Sequence, residues 1–258
     1  MAAKFSNAEA YEGYMGRWSR RLAPLFVAFA GVQDGDRVLD VGCGTGSLAE
    51  AVAAVTRRSE IVGIDPSAPF IEYASSRMRN SRITFEVGSA LAIPYSDTSF
   101  DRCLSLLVLH QVPNVPKALS EMRRVVREGG MVAACAWDRA GMELHRAFWE
   151  AASELDPSAE RHREARGYDS DRPSALWREG GLREVEETTL VIPLEFSSFD
   201  DFWEPFMGEQ GATGSYLNSL PPGHQIALRE RLRERLLGNR LDGPFALHAR
   251  AWAVRGIR

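Results

Sequence analysis

Short apolar runs alternate with amphipathic segments along the first half of the chain. The runs predict strands at 37–41, 60–65, 82–87, 100–106 and 131–137. Between them, apolar residues recur at spacings of three and four, which predicts helices at 47–55, 67–78 and 116–127. We expect Ser67 to cap the second of these helices and Gly129 to end the third. Strands that alternate with helices favour a parallel sheet covered by helices on both faces.

The two ends of the chain depart from this alternation. Two helices are predicted near the start, at 7–15 behind a capping box of Ser6 and Glu9, and at 19–30. Beyond the fifth strand, helices are predicted at 142–155, 174–180 and 225–237, and strands at 182–194 and 245–254. An aromatic-rich stretch at 196–207 precedes a predicted loop that contains three glycines, Gly208, Gly211 and Gly214. We interpret these later segments as insertions that cap the sheet within a single domain.

The loop after the first strand has glycine at every second position, namely Gly42, Gly44 and Gly46. A strand, a glycine loop and a helix form the first half of a βαβ nucleotide-binding unit. Glycine suits such a loop because the backbone can approach a ligand with no Cβ in the way. A dinucleotide fingerprint, G-x-G-x-x-G, would have its third glycine at position 47, which is Ser47 here. The tighter spacing disfavours a dinucleotide, although a nucleotide-dependent oxidoreductase stays an alternative.

Composition narrows the function classes further. Hydrophobic residues make up 45% of the chain and the formal net charge is −4, so binding to nucleic acid is not expected. Three cysteines in apolar or loop contexts, at 43, 103 and 135, fit free thiols in a reducing cytoplasm. No metal-ligand spacing and no signal-peptide pattern occurs, and the apolar stretch 22–32 is too short to span a bilayer. We therefore expect a cytoplasmic protein without a metal or membrane insertion, and the oligomeric state stays open.

Further motifs follow the glycine loop at positions that match one family. Asp65 ends the second strand, where an acid can accept hydrogen bonds from ribose hydroxyls. The segment 88–101 reads GSALAIPYSDTSFD, the segment 106–112 reads LLVLHQV, and the helix at 118–130 ends in EGG. Together these motifs resemble the class I S-adenosylmethionine-dependent methyltransferases of the ubiquinone/menaquinone-biosynthesis type (methyltransferase type 11), over roughly residues 35–137. The resemblance implies a Rossmann-like, mostly parallel α/β sheet with an antiparallel last strand and helical cap insertions.

The resemblance also implies which residues bind S-adenosyl-L-methionine. They lie in and after the glycine loop and at the ends of the next three strands: Asp40, Gly42, Cys43, Gly44, Gly46, Asp65, Pro66, Ser89, Ala90, Leu106 and Gln111. The stretch 11–19 is similar to an N-terminal segment that folds over the cofactor in this family. There Tyr14 would offer a ring to the sulfonium and Arg17 a guanidinium to the carboxylate. The family usually has Asp or Asn where this chain has Ser89, so adenine recognition would lean on the backbone of Ala90 or on water.

The activity that the resemblance implies is methyl transfer to a small-molecule acceptor, at O, N or C. His110 is the candidate base if the acceptor must lose a proton, and the alternative is that His110 only shapes the pocket. The other four histidines have no partner pattern and are expected at the surface or in structural roles. The aromatic stretch 196–207 is either core or a lid, and its position favours a lid over an apolar or aromatic acceptor. A catalytically silent cofactor-binding protein stays open as a second hypothesis.

The division of the chain follows from these assignments. We expect one methyltransferase domain over residues 1–258. Within it, residues 1–34 would form an N-terminal helical lid and residues 35–140 the cofactor-binding core. Residues 141–175 and 195–243 would form the cap and the acceptor site.

Overall fold

A seven-stranded sheet forms the centre of the computed structural model, which describes residues 8–162, 173–208 and 211–258. The strands are β1 (Arg37–Val41), β2 (Glu60–Asp65), β3 (Ile83–Val87), β4 (Phe100–Leu106), β5 (Val126–Met142), β6 (Arg183–Phe196) and β7 (Phe245–Ile257). Their order across the sheet is β3-β2-β1-β4-β5-β7-β6. β1 to β5 pair in parallel, and β7 is antiparallel to both β5 and β6. The predicted mostly parallel sheet with an antiparallel last strand is therefore confirmed.

Helices cover both faces of the sheet. The α-helices are α1 (Ala8–Tyr11), α2 (Arg17–Ala30), α3 (Ser47–Val55), α4 (Ala68–Arg77), α5 (Val115–Val125), α6 (Glu143–Leu155), α7 (Pro173–Glu179), α8 (Phe199–Trp203), α9 (Gly211–Ser219) and α10 (Pro222–Leu237). One apolar core includes Trp18 of α2 and Phe148 of α6, and a second core includes Met122 of α5 and Trp177 of α7. β1 and β4 contribute apolar side chains to both cores, as expected for strands in a parallel sheet. Within the described residues, no helix is both long enough and apolar enough to cross a membrane.

The N-terminal helices differ from the sequence prediction. The two predicted helices are one continuous helical segment, because a π-helical turn at Glu12–Gly16 joins α1 to α2 without a break. Gly16 of this turn and Trp18 of α2 are buried, so the buried face extends through residues 16–18, the gap between the two predicted helices. Glu12 folds back over Gly16, where a Cβ would lie 2.7 Å from the Glu12 carboxyl carbon. Ser6 of the predicted capping box lies outside the described residues.

The boundary between α5 and β5 also differs from the prediction. The helix ends at Val125, and the strand begins at Val126 rather than at position 131. Pairing with β4 shifts within this stretch, from Phe100 opposite Val126 to Arg102 opposite Met131, so the extra residues bulge out of the ladder. Gly129, the expected helix cap, is instead part of this bulge and has a φ of +74°.

The predicted glycine loop near residue 211 is in fact helical. Gly211 begins α9, and Gly214 lies inside it. The helix forms because Thr213, Tyr216 and Leu217 are buried, and this tertiary burial outweighs the low helix propensity of glycine.

Candidate functional site

The carboxyl ends of the parallel strands form the candidate site. β1 lies between β2 and β4, and the chain proceeds outward from β1 in opposite directions, to β3 on one side and to β5 on the other. Val41, Asp65 and Leu106, which end these three central strands, therefore lie at one edge of the sheet. In open α/β sheets, ligands bind at such a switch point.

The loop that leaves β1 is held in a compact turn. Gly42, Gly44 and Gly46 have φ angles of +75°, +52° and +89°, a region that residues with a Cβ rarely adopt. The backbone amides of Gly42 and Cys43 both donate to the Ile64 carbonyl oxygen, at 2.7 and 3.0 Å. These two bonds tie the start of the loop to the end of β2.

Two of the three glycines are required by close packing and the third faces open space. A Cβ on Gly42 would lie 2.4 Å from Val108 Cγ1, and a Cβ on Gly46 would lie 2.1 Å from Met78 Cε. A Cβ on Gly44 would meet nothing within 4 Å. Gly44 is thus the point at which a ligand can approach the backbone of the loop.

Asp65 connects the glycine loop to the start of α4. Its Oδ2 accepts a hydrogen bond from the Gly44 amide at 3.1 Å, and its Oδ1 accepts one from the Ser67 amide at 2.9 Å. Burial raises the pKa of Asp65 and these two amides lower it. Ser67 is the N-cap residue of α4, as predicted, although its side chain makes no capping hydrogen bond. Each carboxylate oxygen of Asp65 keeps a lone pair that a ribose hydroxyl can use.

Asp40 is a second acid at this edge, and it has no hydrogen-bond partner among the described residues. It is 1% exposed. Burial, reinforced by the nearby Asp65 charge, raises the pKa of Asp40 to about 8. The Ala49 amide offsets part of this rise without meeting the geometry of a hydrogen bond. A buried carboxyl group without a partner is unfavourable, so the position favours a ligand that brings a cation or a donor.

The chain leaves β4 through a tight turn. Leu107 has a φ of +62°, and its amide donates to the Cys135 carbonyl oxygen at 2.7 Å. A 3₁₀ turn follows at Leu109–Gln111. Burial lowers the pKa of His110 to about 4, so its ring is neutral at pH 7, and its Nδ1 has no partner within the described part of the chain. Gln111 is exposed at the end of this turn.

The segment after β3 begins next to β2. The Gly88 amide donates to the Asp65 carbonyl oxygen at 3.1 Å. Ser89 is exposed and its hydroxyl accepts from the Leu91 amide at 3.2 Å, while Ala90 is half-buried. The Ser89 hydroxyl therefore already supports its own loop, which leaves its second lone pair for a ligand.

Tyr14 joins the N-terminal helical segment to α6 and α9. Its hydroxyl is hydrogen-bonded to His145 Nε2 at 2.8 Å and to Thr213 Oγ1 at 2.9 Å, and its ring meets Phe206 edge-on. Tyr14 is 4% exposed. His145, which was expected at the surface or in a structural role, thus has a structural role. The contact of Tyr14 with a sulfonium stays a prediction.

Arg17 ties the start of α2 to α8. It donates to Asp201 Oδ1 at 2.6 Å and to the Asp201 carbonyl oxygen, and its guanidinium lies 4.3 Å from the centre of the Trp18 ring. The guanidinium is thus paired with a protein carboxylate, and its predicted pairing with a cofactor carboxylate would require it to exchange partners.

Tyr11 is the residue of this helix that the sequence did not single out. Its ring lies 5.6 Å from that of Phe70 in α4, and it is close enough to Asp65 for that charge to contribute to the raised pKa of Tyr11, which is mainly due to burial. It is therefore Tyr11 that brings the N-terminal helix to the end of β2. In the sequence, Tyr11 was visible only as one more tyrosine in an aromatic stretch.

The aromatic stretch after β6 forms core rather than an exposed surface. Phe196, Phe199, Phe202 and Phe206 are all essentially unexposed and contact one another with ring centres 5.3–5.7 Å apart. The alternative that these rings are core is therefore the better description of their side chains. In the described parts of the chain, no group of three or more metal-binding side chains comes together.

Comparison with known proteins identifies the family. A family model described as a methyltransferase domain matches residues 39–134. The chain is 34% identical over 157 residues to a 2-phytyl-1,4-naphtoquinone methyltransferase of Synechocystis sp., over 58% of this chain and 66% of the relative. It is also 34% identical over 123 residues to a demethylmenaquinone methyltransferase of Symbiobacterium thermophilum, over 46% of this chain and 47% of the relative. The chain belongs to the class I S-adenosylmethionine-dependent methyltransferases of the ubiquinone/menaquinone-like type.

This methyltransferase is similar to the curated relatives over part of their length and to solved structures in fold. The matched part spans between about half and two thirds of the length of those curated relatives. Among solved structures, the YcgJ protein from Bacillus subtilis has a TM-score of 0.60 at 21% identity, covering 92% of this chain and 98% of that chain. A putative methyltransferase from Bacillus halodurans has a TM-score of 0.58 at 16% identity, covering 91% and 97%. At these identities the solved structures share the fold alone.

The carboxyl edge of this methyltransferase fits S-adenosylmethionine, which is the cofactor of the family. A cationic ligand suits the buried, unpartnered carboxyl group of Asp40. The open side of Gly44 admits a ligand to the loop backbone, and Asp65 keeps acceptor capacity for hydroxyl groups. The structure therefore brings the predicted residues of β1, β2 and β4 to one edge of the sheet, and their individual roles toward the cofactor stay predictions.

Proposed function

We propose that this chain transfers a methyl group from S-adenosylmethionine to a small, apolar, aromatic acceptor of the quinone type. The observation that carries the cofactor half of this proposal is the glycine loop, with Gly44 open to a ligand beside the unpartnered carboxyl group of Asp40. The names of the curated relatives, which act on naphthoquinone-type molecules, support the acceptor half. The family membership and the fold are the background for both halves.

Each predicted residue has a role in this proposal that its position allows. Asp65 would accept hydrogen bonds from the ribose hydroxyls, and Ser89 with the backbone of Ala90 would hold the adenine. Asp40 would face the cationic end of the cofactor. The remaining predicted residues, Cys43, Pro66, Leu106 and Gln111, would line the binding groove. The N-terminal helix, tied to the cap through Tyr14, would cover it as a lid.

The bound cofactor would supply a methyl group that is already activated by its bond to a sulfonium sulfur. The acceptor's O, N or C would take this methyl group, leaving the electron pair of the carbon–sulfur bond on sulfur, and would release a proton. The chain's contribution is proximity and alignment, effects worth ~7–11 kcal/mol in well-oriented reactions. His110 is the candidate to take the proton, because its ring is unprotonated at neutral pH; burial, which lowers its pKa to about 4, also makes the ring a weaker base than an ordinary imidazole.

Calorimetric titration tests the cofactor half of the proposal. We expect the wild-type chain to bind S-adenosylhomocysteine with a dissociation constant in the micromolar range, and Asp65→Ala to weaken this binding at least tenfold, ~1.4 kcal/mol. Asp34→Ala is the matched control, because Asp34 also accepts two backbone amides but belongs to the turn before β1. Binding of NAD in place of S-adenosylhomocysteine would support the oxidoreductase alternative and reject the proposal.

Methyl transfer tests the acceptor half. With radiolabelled S-adenosylmethionine and 1,4-naphthohydroquinone as the probe acceptor, label should pass into the organic-soluble product. If S-adenosylhomocysteine binds but no label passes to this acceptor or to a panel of phenols and amines, the catalytically silent alternative is the better description.

A further inference from the structure

The segment that would hold the adenine has little secondary structure of its own. Between Gly88 and Asp97 the structure contains one isolated bridge, from Ser89 to Ala92, and short turn bonds. Ser89 and Ala92 are exposed, whereas Ala90 and Leu91 are partly buried against the second core. Contacts with other elements must therefore determine where this backbone lies.

The first anchor of the segment is at its start. The Gly88 amide donates to the Asp65 carbonyl oxygen at 3.1 Å, which fixes the segment to the end of β2. The second anchor is at Ile93, whose side chain is buried in the core beside α5. Residues 89–92 span the gap between these two points.

Glu121 of α5 forms the centre of the second anchor. One of its carboxylate oxygens accepts from the Ile93 amide at 3.0 Å and from Arg124 Nη2 at 2.9 Å. The other accepts from Lys117 Nζ at 3.1 Å and from Arg124 Nε at 3.2 Å. Glu121 is 7% exposed, and its bonds to Arg124, followed by Lys117 and the Ile93 amide, lower its pKa to about 2. The carboxylate is therefore ionised, and both of its oxygens are occupied.

Arg124 completes the anchor from the other side of the same backbone. Its guanidinium donates to the Ile93 carbonyl oxygen at 3.0 Å, the Tyr95 carbonyl oxygen at 2.8 Å and Asp97 Oδ1 at 2.8 Å. Glu121 holds this guanidinium in place through two bonds of its own. The pair thus binds the amide and the carbonyl of Ile93 at once. A single acid–base pair on α5 determines the exit of the segment 89–92.

We infer that Glu121 and Arg124 are positioning residues for adenine recognition, which they control through the backbone of the segment 89–92 without touching the cofactor. This inference rests on the proposed function, since that is what assigns the adenine to Ser89 and Ala90. Without the second anchor, the segment would have to be ordered when the cofactor binds. Ordering one or two residues only on binding would weaken the binding roughly 5- to 1,000-fold.

Two variants of the pair test the inference. Glu121→Gln removes the charge that holds Arg124, and Arg124→Lys keeps the charge but cannot donate to two carbonyl groups and two carboxylates together. Each should weaken binding of S-adenosylhomocysteine about tenfold or more in calorimetry. In hydrogen–deuterium exchange without ligand, the amides of residues 89–92 should exchange faster than in the wild type.

A second buried ion pair supplies the matched control. Asp36 accepts from Arg102 Nε at 2.8 Å, and both side chains are similarly buried. Asp36 lies just before β1 and Arg102 near the start of β4, so this pair is at the opposite end of the strands from the site. Asp36→Asn should lower the melting temperature about as much as Glu121→Gln and leave the affinity for S-adenosylhomocysteine within about twofold of the wild type.

The outcomes separate the inference from the proposed function. If the wild type does not bind S-adenosylhomocysteine, the proposed function and this inference both fail. If the wild type binds it and both pair variants bind equally well, only the inference fails. The inference is also overturned if Asp36→Asn loses as much affinity as Glu121→Gln, because the loss would then follow from general destabilisation.

Discussion

Replacing Asp40 with asparagine should stabilise the protein, and the gain should increase with pH. The carboxyl group of Asp40 is 1% exposed, and burial, followed by the Asp65 charge, raises its pKa from an ordinary value of 3.8 to about 8. In the unfolded chain this group loses its proton near pH 4, whereas in the folded chain it keeps the proton up to about pH 8. Folding therefore takes up a proton over this range, and stability falls as pH rises through it.

The magnitude follows from the difference between the two pKa values. One pH unit corresponds to about 1.4 kcal/mol per proton, so a shift of about four units costs the folded protein on the order of 6 kcal/mol by pH 8. Asparagine cannot titrate. The difference in the free energy of unfolding, Asp40→Asn minus wild type, should thus grow by ~1.4 kcal/mol per pH unit, or ~2.7 kcal/mol between pH 5 and pH 7.

Urea denaturation at pH 5, 6, 7 and 8 without ligand measures this difference. Asp34→Asn is the control, because the Arg58 and Arg57 amides lower the pKa of the exposed Asp34 to about 2. The stability that ionised Asp34 contributes is fully present above pH 4 and is lost only toward pH 2. The difference in the free energy of unfolding between Asp34→Asn and the wild type should therefore stay flat from pH 5 to pH 8. A flat or falling difference for Asp40→Asn would refute the view that Asp40 is a desolvated acid without a partner. The same variant should bind S-adenosylhomocysteine more weakly, which would mark Asp40 as a site where function costs stability.

Two further predictions concern the loop and the turn beside it. Gly46→Ala should destabilise the fold by roughly 2–4 kcal/mol, since the residue has a φ of +89° and its Cβ would lie 2.1 Å from Met78 Cε. Thermal denaturation measures this loss, and Gly35→Ala, at a φ of +97° in open space, is the control for the backbone cost alone. Equal losses of stability in the two variants would contradict the contribution of the clash with Met78. If His110 removes the acceptor's proton, His110→Ala should lower the rate of methyl transfer about 100-fold or more. Its affinity for S-adenosylhomocysteine should stay within about threefold of the wild type. Full turnover with an unchanged pH–rate profile would exclude that role.

The core of the fold was predictable because its signals are local. Apolar runs and helical spacing marked β1 to β4 within about a residue of where they lie, and the G-x-G-x-G spacing marked the loop. The helices between β6 and β7 were less predictable. α9 carries glycines that suggest a loop, and only the burial of Thr213, Tyr216 and Leu217 against other elements makes it a helix.

The sequence by itself determined the order of the elements from β1 to β5, the position of the glycine loop and the family, since each of these depends on residues that are neighbours along the chain. The tertiary structure decided which distant groups meet. It placed Asp40 near Asp65 at one edge, Tyr14 against His145 and Thr213, and Glu121 beneath the backbone of Ile93. Such contacts join residues that are tens to hundreds of positions apart, so they leave no periodic pattern in the sequence. They arise only when the strand order and the helix packing bring those side chains together.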